Sequence, residues 1–554
     1  MVVVEDTARN SGVAAPRGLL GPPPSADGGI VEPQSTGGAH APGRPVAAVS
    51  ERVGGFLERL QQPLFFPTAA ALACILAAGL LIRTHFAAFL DPFEDGYQNW
   101  WISANLLQTG QYYDPHSMMT QGNWLPLYHF VAAAVLQLAG WHNMEALKGA
   151  NMVISVLSAI LVFGIARKHG LGIGVAATAF VAMNFIDVVV SGWATAESLA
   201  TFLVLLGYAL LFVFETGGRR RHVIAAVSFG LAVMTRYEAW LIVALLIGFA
   251  LVRPSRQERN RILLATIPAF VFMAGYFVYA LRWGFLPAIV VSQTSTDIQY
   301  QLGAGTQPSP GDILSRWWIG YIIMLPILLP VGGAYALRRI RQDFGAWIVI
   351  ALWAFIIGYP ALRLGNPSFR YVLITVPFLA IYTARALPSV VDGLLSVLRR
   401  SAAETDRTRT AALAFAAIAV GATLLPSSFA FWPSGFAASS FMVPLERAGA
   451  FVASLPHDPN LILVTESPIA AYVSGYPANR MLGSRWLPDG RDAALAFLKA
   501  NAQYIVYMGV PYYRLRTLFP ELQNGTDSRD FQFLYDAGGL AVGTHAVFVY
   551  RVIP

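Results

Sequence analysis

Three carboxylates fall within five residues in the run Asp91-Pro92-Phe93-Glu94-Asp95-Gly96-Tyr97-Gln98-Asn99-Trp100-Trp101. Carboxylates at a membrane surface are costly unless solvated, paired or coordinated, so Asp91, Glu94 and Asp95 are candidates for a functional site. Two arginine-bearing turns come later, Thr235-Arg236-Tyr237-Glu238 and Asn366-Pro367-Ser368-Phe369-Arg370-Tyr371, with Arg363 just before the second. A guanidinium can hold a phosphate bidentately. Asp187 and Glu197 flank a further short turn. Each feature also has a plainer reading. The acidic run could be a solvated loop whose Trp100, Trp101 and Trp124 sit at an interface. The arginines could snorkel or, like Arg236 with Glu238, form a local ion pair. Asp187 and Glu197 could be helix-end carboxylates in water.

The elements that must position these residues are membrane spans. The chain has 554 residues, 56% hydrophobic and only 12% charged, with mean hydropathy +0.53. About 25% charge is usual in a soluble chain, so the bilayer is the natural solvent here. The net charge of +7 does not point to nucleic acid, because the basic residues sit in short clusters between apolar runs. The single cysteine, Cys74, excludes an intramolecular disulfide framework and a cysteine-based zinc site.

Apolar stretches are expected to span at 65–87, 149–166, 171–188, 196–214, 222–235, 238–252, 262–281, 319–336, 344–361, 371–388 and 410–428. The run 125–140 decides the topology. If it lies along the surface, the clusters Arg167-Lys168, Arg219 to Arg221, Arg253 to Arg261, Arg338 to Arg341 and Arg399 to Arg409 share one side with Arg52 and Arg59. That side is cytoplasmic by the positive-inside rule. The result is a polytopic α-helical protein of about eleven spans (eleven to thirteen at the outside), with the N-terminus inside and the C-terminus outside.

Residues 1–62 read as a disordered cytoplasmic tail without a secretory signal, being rich in Pro, Gly, Ala and Ser. Residues 63–434 form the membrane domain, with a first outer loop at 88–148 and a second at 282–318. Residues 435–554 read as an extracytoplasmic α/β domain. Strand-like runs at 461–464, 504–508 and 546–552 alternate there with helical segments at 443–453 and 491–501.

The order of motifs resembles the GT-C superfamily of membrane glycosyltransferases over roughly 65–554. In its protein O-mannosyltransferase and aminoarabinose-transferase branches an acidic pair follows the first span, then a Tyr, a helix ending Leu-Leu, and a Gly. The matching residues are Glu94, Asp95, Tyr97, Leu106, Leu107 and Gly110, with the pair in the order Glu-Asp. There is weaker similarity to oligosaccharyltransferase catalytic subunits at Asp95-Gly96-Tyr97, Asn99 and Asn123-Trp124-Leu125-Pro126-Leu127. The resemblance implies the following. Asp95, with Glu94 second, is the catalytic base. Arg236, Arg370 and Arg363 are candidate ligands of a donor phosphate. Asp91, Asp187, Glu197, Tyr97 and Glu238 are candidates for substrate or metal contact.

On this reading the protein is an inverting transferase of the outer face of a bacterial or archaeal cell membrane. A polyprenyl-phosphate-linked sugar is the donor. A glycan, lipid or protein supplies the hydroxyl or amine, and the surrounding membrane lipid is a partner too. No cofactor is assigned with certainty, and His116, His129 and His142 could join carboxylates around a divalent metal. A transporter or flippase is the first rival, but it predicts charges mid-span and inverted repeats, neither of which stands out. A catalytically silent membrane scaffold is the second, and it leaves the acidic loop and the arginines without a purpose.

Overall fold

The computed structural model describes residues 65–91, 94–112, 124–214, 218–282, 311, 321–322, 324–361, 369–398, 442–509, 514–540 and 545–554. The expected span at 410–428, most of the loop 282–318, the tail 1–62, Arg363 and His116 lie outside the described residues.

Helix α1 (Phe65–Ala87) is apolar on every side apart from a few polar residues near its end. Its 23 residues reach about 34 Å at 1.5 Å per residue, enough for a hydrocarbon core of ~30 Å. Two shorter helices follow, α2 (Asp95–Thr109) and α3 (Pro126–Ala139). Gly110 ends α2 in a left-handed conformation and returns its N–H to the Leu106 carbonyl at 2.8 Å. With 14 residues, α3 reaches only about 21 Å, short of the hydrocarbon thickness. It packs against α2.

The bundle continues through α4 (Met144–Ala166), α5 (Leu171–Ala182), α6 (Phe185–Ser191), α7 (Ala196–Tyr208), α8 (Gly218–Val233), α9 (Glu238–Leu251), α10 (Arg256–Arg282), α11 (Gly333–Arg339), α12 (Phe344–Ala361) and α13 (Val376–Leu398). Among the described residues five helices are long and apolar enough to cross a membrane, or six if α5 and α6 count as one. The expected straight span 171–188 is in fact this pair, bent by 54°. The cause is Asn184, whose side chain accepts from the Ile186 and Asp187 N–H groups and starts a new helix there. The helix from Arg370 onward is the most enclosed by protein, whereas α1 leaves most of its surface outward.

A sheet-based domain follows α14 (Val443–Ala453). It contains β1 (Ile462–Thr465), α15 (Pro468–Ser474), β2 (Met481–Gly483), α16 (Arg491–Asn501), β3 (Ala502–Met508), α17 (Arg514–Leu518), β4 (Phe531–Leu540) and β5 (His545–Val552). The sheet order is β2-β1-β3-β5-β4, with the first three strands parallel and β5 antiparallel to both β3 and β4. Register places Val464 beside Leu482 and Ile505, and Tyr504 beside Arg551. Alternation divides the strands between two cores. Leu463, Tyr504, Val506 and Val549 face α14 and α15. Val464, Ile505, Tyr507 and Tyr550 pack with Leu498 of α16 and Leu515 of α17. The three expected strands and both expected helices are present; β2, β4, α15 and α17 are additional.

Candidate active site

Two backbone specials prepare the site. Glu94 (φ 58°) and Ala194 (φ 54°) are the non-glycine residues with positive φ among those described. Each lies just ahead of a helix that carries an acid: Glu94 is the N-cap of α2, which Asp95 opens, and Ala194 precedes the Thr195 N-cap of α7, whose first turn holds Glu197. The two helix starts are packed on each other. The Asn99 side chain donates to the Ala194 carbonyl at 3.2 Å. A Cβ at position 96 would overlap the Trp193 carbonyl oxygen, so only glycine allows this approach. Non-glycine residues in left-handed backbone cost energy, and they cluster where the surroundings fix a functional geometry.

From these starts the charges form one chain. Asp95 pairs with the Arg370 guanidinium. Arg370 Nε lies 3.5 Å from Glu197 Oε1, and Arg236 Nη1 lies 3.0 Å from the same oxygen. Arg236 then grips Glu238 with two bonds, Nη2 to Oε1 at 2.6 Å and Nε to Oε2 at 3.1 Å. The ring of Tyr371 stands between the arginines, its centroid 5.3 Å from one guanidinium carbon and 5.4 Å from the other. Glu197 is buried, and the other four side chains keep a little surface. Three carboxylates therefore face two guanidiniums. Residues of four separate segments (α2, the α7 start, the 235–238 turn and the 3-10 helix Phe369–Thr375 that leads into α13) meet here.

The remaining sequence candidates go elsewhere. Asp91 Oδ2 accepts the Gly96 N–H at 2.7 Å and shapes the turn into α2. Glu94 turns away from the arginines: its Oε1 accepts from Ser467 Oγ at 2.5 Å and from the Ile469 N–H at 3.4 Å. The carboxyl keeps some surface, yet its oxygens are enclosed where the two domains meet. Desolvation pushes its pKa up to about 7, against the Ser467 and Ile469 bonds that pull it down. Tyr97 packs edge-on against Tyr472 of α15, ring centroids 5.5 Å apart. Burial, aided by the charge of Asp91, raises its phenol pKa.

Asp187 is not brought to the arginine cluster. It pairs with Arg83 of α1 and accepts from Ser155 Oγ at 2.7 Å, inside the bundle. His129 is buried between the Leu125 carbonyl (3.2 Å) and Asn99 Oδ1 (3.0 Å), and burial pulls its pKa down to about 3. His142 stacks on Tyr472 at 4.3 Å. Among the described residues no three His, Cys, Asp or Glu side chains converge as metal ligands.

Sequence reasoning missed Ser467 and Arg83. A fully buried arginine in an apolar span always demands a partner, so Arg83 carried a signal. Ser467 carried only that of a helix cap: its Oγ accepts the Ala470 N–H at 3.1 Å.

Residues 123–283 match the model of the dolichyl-phosphate-mannose-protein mannosyltransferase family. That segment holds Glu197, Arg236 and Glu238 but neither Asp95 nor Arg370. No curated protein is significantly similar in sequence. In structure the chain is similar to ArnT from Cupriavidus metallidurans. The undecaprenyl phosphate-bound form has TM-score 0.55 and 13% identity over 86% of this chain and 97% of that one. The apo form has TM-score 0.56 and 13% identity over 87% and 98%. The oligosaccharyltransferase of Archaeoglobus fulgidus in complex with Zn and sulfate is similar at TM-score 0.50 and 14% identity, over 84% of this chain and 79% of that one. A bundle of apolar helices with an acidic first loop, followed by a small sheet domain, has a match along nearly the whole length of ArnT. In architecture, then, the chain has the fold seen in ArnT from Cupriavidus metallidurans.

Proposed function

We propose that the protein transfers a sugar from a polyprenyl-phosphate carrier to an acceptor hydroxyl or amine, with inversion, at the extracytoplasmic face of a cell membrane. The observation that carries this reading is the single charge chain Asp95–Arg370–Glu197–Arg236–Glu238. It unites a candidate base with two candidate phosphate ligands in one cluster, where a lipid phosphate can reach them.

In this reading Asp95 takes the proton of the acceptor as the acceptor oxygen or nitrogen bonds to C1 of the sugar. The C1–O bond to phosphate breaks in the same step. Its electron pair leaves on the phosphate oxygen, where guanidinium charge stabilises it. Inversion requires attack and departure on opposite faces of C1. The base and the phosphate must therefore stand apart, with the sugar between them. The order of the charge chain suits this: Arg370 is the neighbour of Asp95, and Arg236 lies beyond Glu197. Arg236 is accordingly the principal phosphate ligand and Arg370 the partner of the base, while Arg363 remains a proposed third ligand. A phosphate reaching Arg236 must displace Glu238 or Glu197 from its donors. Two guanidiniums face three carboxylates here, so a divalent metal beside the carboxylates stays part of the proposal, although no set of three ligands converges among the described residues.

The test is transfer from a panel of radiolabelled polyprenyl-phosphate sugars to membrane acceptors, with wild type beside Asp95→Asn. Loss of a general base costs roughly 10²–10⁴-fold. Transfer by wild type that vanishes in the variant supports the assignment. Undiminished transfer by Asp95→Asn removes Asp95 from the role, and no transfer by wild type from any donor in the panel sinks the donor class.

A further inference from the structure

The acidic pair Glu94-Asp95 is split between two structures. Asp95 points to the arginine cluster. Glu94 points into the C-terminal domain, to residues more than 370 positions away in sequence, with |i−j| of 373 for Ser467. We propose that Glu94 is a positioning residue rather than the proton acceptor: the C-terminal domain captures its carboxylate and thereby locks the left-handed turn that delivers Asp95 to Arg370. This inference rests on the assignment of Asp95 as the base.

Three sets of contacts carry it. First, the turn is held at both ends. The Glu94 N–H donates to the Asp91 carbonyl (3.2 Å), the Gln98 N–H to the Glu94 carbonyl (2.8 Å), and the Gly96 N–H to Asp91 Oδ2 (2.7 Å). Between these bonds the Glu94 backbone stands at φ 58° and ψ 2°. Such a backbone persists in a non-glycine residue only where the surroundings over-determine it.

Second, the over-determination comes from Ser467 and Ile469. Ser467 uses a lone pair to cap α15 through the Ala470 N–H. That leaves its hydroxyl proton for Glu94 Oε1 at 2.5 Å. The Ile469 N–H, which has no partner within the first turn of its own helix, reaches the same oxygen.

Third, the capture sits in a larger docking face. Trp100 and Tyr97 pack against Tyr472, and the Asn479 N–H donates to Gln108 Oε1 at 3.1 Å. The domain therefore stays docked on α2 when the Glu94 contact alone is removed, which makes the contact separately testable.

The raised pKa of Glu94 would by itself suit a base at neutral pH. Geometry ranks first. Its described acceptor oxygen is engaged by two donors, and the side chain is directed away from both arginines.

The experiment uses the full-length protein in lipid nanodiscs, with two readouts. Ser467→Ala and Glu94→Ala each lower kcat about tenfold, with the donor KM little changed. The double variant falls by less than the product of the two single effects, because both remove the Ser467–Glu94 hydrogen bond. Ser467→Thr, which keeps the hydroxyl, restores kcat. Glu94→Gln, which keeps the acceptor oxygen but cannot take a proton at neutral pH, loses no more than a few-fold. A Glu94→Gln loss as deep as that of Asp95→Asn overturns the proposal, as does full kcat in Ser467→Ala. The second readout needs no substrate: amide hydrogen exchange at 95–98 speeds up in Ser467→Ala. Unchanged exchange there overturns the lock even if every donor fails, whereas failed donors with accelerated exchange sink only the assigned activity.

Discussion

Arg236 and Arg370 share one oxygen of one carboxylate, Glu197 Oε1, at 3.0 and 3.5 Å. Glu197 therefore sets the spacing of the two guanidiniums, and the ring of Tyr371 fills the space between them. Glu197→Gln removes the charge that holds both and leaves each free to reorient. A hydrogen bond to a charged group contributes about 1.5–3 kcal/mol, so the donor KM rises roughly ten- to a hundredfold, measured by initial rates against donor concentration. An unchanged KM with kcat lost would instead place Glu197 at the reacting atoms.

Lysine substitutions separate the two arginines. Arg236→Lys keeps the charge but loses the fork that grips Glu238 and, in the proposed reading, the phosphate. The expected effect is a raised donor KM. Arg370→Lys disturbs the partner of Asp95, so the expected loss is in kcat. Identical kinetic signatures in the two variants would contradict the order assigned along the charge chain.

Gly96→Ala tests the packing of the two helix starts. The new methyl must push Trp193 or α2 away. Overpacking of this kind costs about 1–3 kcal/mol. Because the displaced backbone leads directly to Asp95 and Glu197, activity should fall by more than the lost stability alone explains. The check is specific activity per folded molecule beside the melting temperature in detergent.

Asp187 separates structural from catalytic carboxylates. Its pair with Arg83 is enclosed in the bundle with Ser155 and Ser191. Removing one partner of a buried pair costs roughly 3–5 kcal/mol. Arg83→Ala and Asp187→Ala should therefore reduce yield and thermal stability, while the protein that does fold keeps its donor KM. A raised KM at normal stability would return Asp187 to the substrate site.

Glu466 gives the C-terminal domain a pH dependence. The carboxyl lies at the end of β1, buried against Ser484 and the Leu515 N–H. Desolvation raises its pKa from 4.5 to about 7. A raised carboxyl pKa means that the folded domain binds the proton more tightly. Its contribution is complete below pH 4.5 and is lost as pH rises through about 7. The full difference is roughly 3 kcal/mol. In the intact protein, β1 and β3 amides should be better protected at pH 5 than at pH 8 after correction for intrinsic exchange. Glu466→Gln, a neutral stand-in for the acid, should flatten that difference; equal protection in wild type at both pH values would refute it.

Much of this was legible in the sequence for physical reasons. Apolar length alone gives α1, α4 and α10, because a helix must satisfy its backbone inside lipid. Period-two patterning gives β3 and β5. Asp95, Arg236, Arg370, Glu197 and Glu238 were all picked out as charges at helix ends, and the structure joins them. Partnership was not legible. Nothing local to Glu94 states that its oxygen faces Ser467 while its neighbour faces Arg370, since that split depends on a left-handed backbone at a residue with no glycine signature. Nor does Asp187, equally acidic and equally close to a turn, reveal that Arg83 of another helix has claimed it. The break at Asn184 was hidden because the apolar run continues through it and only the cap interrupts the helix.

The Glu94–Ser467 contact also has a consequence for biosynthesis. Chains emerge from the ribosome at about 5–20 residues per second. With 373 positions between the two residues, Ser467 appears on the order of twenty to seventy-five seconds after Glu94. Throughout that interval the nascent protein holds its acidic loop, and later its arginines, already in the bilayer, yet the turn before Asp95 has nothing to close on it. On this view the turn before Asp95 closes late, when the last-made domain docks.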